Sequence, residues 1–170
     1  MNSDYNIYVA DLAAYNAGML HGVWIDATQE LNDIHEAIQA MLAASPEPFS
    51  EEWAIHDYDG FGGLGLGEYE SLEHVHAIAV FLEEHGELGQ AVLSHWCSDI
   101  DQAQQALSDD YHGCFTSLAD FAQALTEETT SIPDNLAFYI DYDKIGRDLE
   151  INDVYTVTTA YDEVHVFWNR

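Results

Sequence analysis

Apolar residues recur along this chain in two distinct periods. Near the start, "NIYVADL" and "LHGVWID" alternate apolar with polar positions. That period of two places them as short strands, joined through "AAYNAGM". The period then lengthens. Leu31, Ile34, Ile38, Met41 and Leu42 fall on one face of a helix, and Asp26 with Gln29 three residues on reads as its capping pair. Pro46 and Pro48 end it, since neither can continue a helix. "EEWAIHDY" returns to alternation as a third strand. The glycine-rich "DGFGGLGLG" at 59–67 then breaks the pattern, and a subdomain boundary is expected there.

Three helical patterns follow. Ser71 caps the first, with Leu72, Val75, Ile78, Ala79 and Leu82 facing inward; after Gly86 a shorter one uses Leu88, Val92 and Trp96. Asp99 opens the third, with Ile100, Ala103 and Leu107. "YHGCFT" reads as a strand, and Ser117 caps a helix with Asp120 at the capping-box position. Leu118, Phe121, Ala122 and Leu125 form the inner face of that helix. A further helix is expected from Pro133 through "IPDNLAFYIDYDKIGRDLE", because proline suits a first turn. "VYTVTTAYDEVHVFW" closes the chain as a hairpin. The fold class expected is α+β, in three small subdomains: a β-β-α-β unit at 1–60, a helical middle at 61–108 and a strand–helix–hairpin unit at 109–170. "HGVWID" and "HGCFTS" echo one another, aligning His21 with His112 and Asp26 with Ser117; strand-to-helix turns share such short identities by chance.

Composition confirms a folding chain. Hydrophobic residues make up 48% and aromatics 12%, including Trp24, Trp53, Trp96 and Trp168, far from the profile of a disordered segment. Charge changes the picture. Three basic residues face 32 acids, for a net charge of −29, and Lys144, Arg147 and Arg170 all lie near the end. No lysine or arginine precedes Lys144, so most of the carboxylates have no cation to meet within the chain. Cys97 and Cys114 are too few for a disulfide framework, and their spacing fits no zinc module. The start "MNSDYNIYVADLAAY" lacks a cationic n-region, and no run has the length of a membrane span. A cytoplasmic setting is expected.

Specific chemistry is hard to find. Counted from Asp57, "DYDGFGGLGLGE" puts Asp57, Asp59, Gly62 and Glu68 where an EF-hand loop needs them, making an acidic calcium module the alternative function. Phe61 breaks that pattern at a ligand position, and the preceding residues read as strand. "GLGLG" resembles a phosphate cradle but opens no clear helix and has no lysine nearby. His74 and His76, two apart, do not share a helix face; Glu70 and His74 do, but two ligands make no site. No catalytic signature emerges and no cofactor or metal is expected.

The carboxylates themselves then become the subject. Duplex DNA carries one charge per roughly 1.7 Å of axis, so 29 charges correspond to about 50 Å of duplex. A compact chain of this length has a radius of gyration of about 15 Å, so the two charge densities are of one order. Nucleic acid and anionic membranes would be repelled, and a basic protein groove is the natural partner. Halophilic adaptation gives the same composition, and behaviour in low salt separates the two. Carboxylates at i and i+3 or i+4 lie roughly 5–6 Å apart on a helix face. The residues expected to offer such a surface are Glu30, Asp33 and Glu36; Glu70, Glu73, Glu83, Glu84 and Glu87; Asp99 and Asp101; and Asp109, Asp110, Glu127 and Glu128.

Three segments, "IYVADLAAYNAGMLHGVWIDA", "YHGCFTSLADFAQAL" and "DLEINDVYTV", resemble in order the ArdA antirestriction family, over nearly the whole chain. The resemblance implies a non-enzymatic DNA mimic: an elongated homodimer of three-subdomain chains whose carboxylates imitate the phosphates of bent B-form DNA. Such a protein fills the DNA groove of type I restriction–modification enzymes, between specificity and modification subunits, and blocks restriction and modification by competition. The family's antirestriction motif is associated with the dimer interface. By resemblance it carries over to Tyr111, Gly113, Phe115, Ser117, Asp120 and Phe121, with Cys114 at a variable position.

Overall fold

A computed structural model describes residues 3–170 of the chain, which divides into two units, Met1–Gln90 and Ala91–Arg170. In the first, β1 (Asn6–Asp11) is the middle strand of an antiparallel sheet, between β2 (Gly22–Asp26) and β3 (Trp53–Asp59). Alternation sets its faces: Ile7 and Val9 are wholly buried, opposite Ile25 on one side and Ile55 on the other. Between β1 and β2 the chain makes a five-residue helix, α1 (Leu12–Asn16), where the sequence suggests only a connection. Asp11 is the reason. Its carboxylate accepts the N–H groups of Ala13 and Ala14 at 2.9 and 3.3 Å and the Ser50 hydroxyl, which starts a helical turn.

Helix α2 (Leu31–Ala43) buries Ile34, Ile38, Met41 and Leu42, the stripe its spacing predicts. Its start differs from the expectation. Asp26 does not cap it: the carboxylate accepts both the N–H and the hydroxyl of Thr28, at 2.8 and 2.7 Å. That local turn takes the side chain out of reach of the helix, which begins at Leu31. The glycine-rich segment packs onto the sheet, with Phe61 and Leu64 buried and the Phe61 ring edge-on to Tyr5 and Tyr58. Helix α3 (Leu72–His95) begins with the expected cap, the Ser71 hydroxyl accepting the His74 N–H. Leu72, Val75, Ile78, Ala79 and Leu82 are buried as predicted. Gly86 interrupts it at φ 57° and ψ −141°, a conformation open to glycine and costly for other residues.

In the second unit Asp99 caps α4 (Ile100–Gln105), accepting the Gln102 N–H at 3.0 Å, and a π-helical turn over Ala106–Asp110 follows. The strands β4 (Tyr111–Phe115), β5 (Val154–Ala160) and β6 (Glu163–Trp168) form an antiparallel sheet ordered β4-β6-β5. Against it lie α5 (Leu118–Thr129) and α6 (Tyr142–Asn152). The core gathers Phe121, Val154 and Val166, walled by Phe115, Leu118, Leu125, Leu149, Val164 and Trp168. At Gly146 the helices meet so closely that a Cβ would lie 3.1 Å from the Leu118 side chain.

The helix expected from Pro133 starts later, at Tyr142. Asp141 takes the Lys144 N–H at 3.1 Å and fixes the start there. Upstream, Leu136, Phe138 and Tyr139 are exposed, so no buried stripe sustains a helix and only one 3-10 turn forms, at Ala137–Tyr139. The architecture is α+β, with six α-helices and two three-stranded antiparallel sheets among the described residues.

The two sheets share an arrangement with the chain entering at different points. The first runs central strand, edge, helix, edge; the second runs edge, helices, edge, central strand. The echo of "HGVWID" and "HGCFTS" falls on the edge strands that lead into the helices, β2 and β4.

Asp11 is fully buried with no cation beside it. Burial acts to raise its pKa, but hydrogen bonds from Ser45, Ser50, Ala14 and Ala13 outweigh it and hold the carboxyl below its usual range. Asp11→Ala is expected to lower stability by about 1–3 kcal/mol at pH 7, measured by urea unfolding. Because the folded pKa is depressed, that contribution is complete above the unfolded carboxylate value of about 4. It is lost as pH falls through the folded pKa, so the wild-type and variant stabilities converge in acid.

Candidate functional site

Of the 32 acids, Asp11 and Asp110 are buried, and Asp26, Glu47 and Glu70 are half-buried. All the rest are exposed. Among the described residues one lysine or arginine meets a carboxylate: Arg170 Nε lies 3.0 Å from Asp110 Oδ1. Three histidines sit beside acids, His74 on Glu70 at 2.8 Å, His56 on Glu68 at 3.4 Å and His85 on Glu84 at 3.8 Å. The surface is therefore a field of carboxylates with almost no internal neutralisation.

Local structure distributes that field. Glu30 occupies the residue before α2 without a capping bond, Asp33 lies in its first turn, and Glu36 is one turn on. Glu73, Asp101, Asp120 and Asp143 occupy the first turns of α3, α4, α5 and α6. Negative charge at a helix N-terminus is favourable, by about 0.3–1 kcal/mol where exposed, so these positions offset part of the repulsion they create. Glu83, Glu84 and Glu87 are exposed on either side of the Gly86 break, and Glu127 accepts the Gln123 amide at 2.9 Å beside exposed Glu128. Asp99 is exposed, but one oxygen is engaged as a cap.

Asp110 departs from the expected surface set. The π-helical turn carries it inward, away from exposed Asp109. Antiparallel pairing of Tyr111 with Phe167 then brings the chain end past it, which delivers Arg170. Asp110 is paired inside its own chain.

The six residues that the resemblance assigns to the antirestriction motif lie on β4 and the start of α5. The Ser117 hydroxyl accepts the Asp120 N–H at 3.1 Å, as the capping pattern predicts. Phe121 is wholly buried, with Phe115 at 5.2 Å between ring centres. Gly113 has φ 138°, beside a register shift in the β4–β6 pairing. The Tyr111 hydroxyl bonds His165 Nδ1 at 2.8 Å, and its ring lies on Phe167 at 4.9 Å. Burial raises the Tyr111 pKa first, with Cys114 adding to it. Burial likewise lowers that of His165, against the pull of Glu163, so this pair is neutral near pH 7 and works as a hydrogen-bonded joint.

The family model for the antirestriction protein ArdA matches residues 7–163, from β1 into β6. The chain belongs to the ArdA antirestriction family. Among curated proteins none matches it. Membership makes this an antirestriction protein, of an inhibitor family with no known catalytic activity. No helix among the described residues is long and apolar enough to cross a membrane.

The calcium alternative finds no support in this ArdA-family chain. Asp57 and Asp59 are held extended in β3, and Phe61, at a ligand position, is buried in the core. Glu68 turns to His56, and no group of three metal-ligating side chains gathers among the described residues. Sequence reasoning also passed over Asp11 and Asp141, both caps, and the grouping of Tyr15, His56 and Glu68. The two caps carried a readable signal, an acid immediately before a helical run; the grouping depends on a fold-back that no local pattern encodes.

Thermal unfolding followed by circular dichroism separates two uses of the charge. The protein is expected to be folded at low salt, about 20 mM NaCl, with a melting temperature that rises by a few degrees at about 300 mM as repulsion is screened. Loss of structure at the lower salt would assign the acids to halophilic adaptation.

Proposed function

We propose that this protein inhibits type I restriction–modification enzymes by occupying their DNA groove, between specificity and modification subunits, with exposed carboxylates standing in for phosphates. The observation that carries the reading is the near-absence, among the described residues, of lysine or arginine partners for those carboxylates. Enzymes that bind DNA hold its backbone through lysine and arginine irrespective of sequence. A surface of unpaired acids offers those cations an alternative, with no phosphodiester to cleave and no base to methylate. Its long-range field also speeds encounter, most at low ionic strength. Both restriction and modification are blocked, without cofactor and in the cytoplasm.

The acting surface on this reading comprises Glu30, Asp33, Glu36, Glu73, Glu83, Glu84, Glu87, Asp99, Asp101, Asp109, Glu127 and Glu128, with half-buried Glu70 at its margin and paired Asp110 outside it. The working form is a homodimer of chains with subdomains at 1–60, 61–108 and 109–170, joined through the motif of Tyr111, Gly113, Phe115, Ser117, Asp120 and Phe121. Support for that seam comes from β4 being an edge strand, whose outer side has no partner within the sheet.

The test is displacement. Labelled duplex bound to a purified type I methyltransferase is titrated with the protein, and the apparent Kd for DNA is expected to rise in proportion to inhibitor, as competition requires. Single Glu→Gln changes at the surface positions are expected to shift the midpoint less than about twofold, because the field is collective. Joint neutralisation of Glu83, Glu84, Glu87, Asp99 and Asp101 is expected to weaken inhibition by about tenfold or more. A ternary complex retaining DNA would overturn the reading.

A further inference from the structure

The glycine-rich loop left a question: what it does once neither a metal nor a phosphate is assigned to it. Its course gives an answer. β3 is an edge strand, and the β1–β3 register slips so that Tyr8 faces Asp57 while Val9 faces Ile55, leaving His56 as the extra residue of a bulge. Bulges re-aim side chains and recur beside binding sites. Here the loop returns along the outer side of β3, where the Ile55 N–H donates to the Glu68 carbonyl at 3.0 Å. That bond places the Glu68 carboxylate 3.4 Å from His56 Nε2. On the other side, Tyr15 of α1 stands edge-on to the His56 ring at 4.8 Å.

Together these residues line an open surface pocket of about 390 Å³, formed by Tyr15, Ile55, His56, Tyr58, Leu66 and Glu68. Its walls are aromatic and aliphatic, and it holds one carboxylate. Glu68 is half exposed, so it is available to a visitor. Three features select the visitor. The net charge of −29 repels anions. Tyrosine faces attract a cation, and a planar guanidinium both stacks on rings and forks onto a carboxylate, which an ammonium does not. Ile55 and Leu66 suit the methylene stem of a long side chain.

We infer that this pocket is a socket for an arginine side chain: the guanidinium lies against an exposed tyrosine face and pairs with Glu68, giving the protein a fixed anchor beyond its diffuse charge. That the arginine belongs to the restriction–modification enzyme rests on the reading above; the socket's chemistry does not.

The experiment titrates the full chain with N-acetyl-arginine amide and, separately, N-acetyl-lysine amide, following backbone amide resonances. Saturable shifts are expected for the arginine probe at Tyr15, at residues 55–58 and at 64–68, weaker for lysine. Tyr15→Ala and Glu68→Gln are each expected to weaken the arginine probe by about fivefold or more, while Asp134→Asn, outside the cavity, changes it less than about twofold. Shifts spread evenly over the acids of α2 and α3, equal lysine binding, or indifference to both cavity variants would overturn the socket. In the enzyme competition assay, Glu68→Gln is expected to weaken inhibition by about three- to tenfold against under twofold for Asp134→Asn. If the wild type fails to displace DNA at all, the groove reading falls while the probe titration still decides the socket.

Discussion

Mutual repulsion among exposed carboxylates is the constraint on which the rest of this structure depends. Nearly all the acids face water, and among the described residues a single arginine is bonded to one of them. Attraction between side-chain charges therefore contributes little to holding either unit together. Stability must come from groups that carry no charge, and the structure shows where. In the first unit, Ile7, Val9, Ile34, Ile38, Phe61, Val75 and Ile78 are almost wholly removed from water; in the second, Phe121, Val166 and Phe167 are. Burying a side chain of this size contributes roughly 1.5–3 kcal/mol, which sets the scale available against repulsion.

Hydrogen bonding is arranged to the same end. Of the carboxylates drawn inward, Asp110 meets Arg170, while Asp11 and Asp26 are met by donors that bring no positive charge. Asp11 takes main-chain N–H groups and the Ser50 hydroxyl, and Asp26 takes Thr28. Other acids begin helices, where backbone dipoles welcome them: Asp99 and Asp141 as caps, Glu73 and Asp120 in first turns. A chain without lysine through its first 143 residues thus gives structural tasks to some of its acids and leaves most of them free. The segment that resembles the antirestriction motif fits the same logic, since Ser117, Phe115 and Phe121 build a joint from a cap and a ring cluster.

Much of this was legible in the sequence because its signals are local. Period two gave β1 to β3 and the closing hairpin; period 3.6 gave α2 and α3; Ser71, Asp99 and Ser117 marked starts with side chains that can reach only a few residues ahead. The departures share a cause too. Asp26 can bond Thr28 or cap a helix, and nothing local decides between them. Pro133 permits a helix start, but without a buried face downstream the helix waits for Asp141. Asp110 reads as one more surface acid until pairing of Tyr111 with Phe167 brings Arg170 to it. The cavity beside Glu68 depends on a bulge and a fold-back, and both are tertiary. Charge was the most legible property in amount and the least legible in placement.

The central claim, that carboxylates here replace phosphates, is tested most directly by the salt dependence of binding to a type I methyltransferase. The association constant of protein and enzyme, measured without DNA from about 50 to 400 mM NaCl, should fall steeply and linearly on logarithmic axes, as binding through many ion contacts requires. A slope near that of duplex DNA for the same enzyme is the expected result. An affinity that hardly changes with salt would contradict it and assign the inhibition to apolar contacts instead.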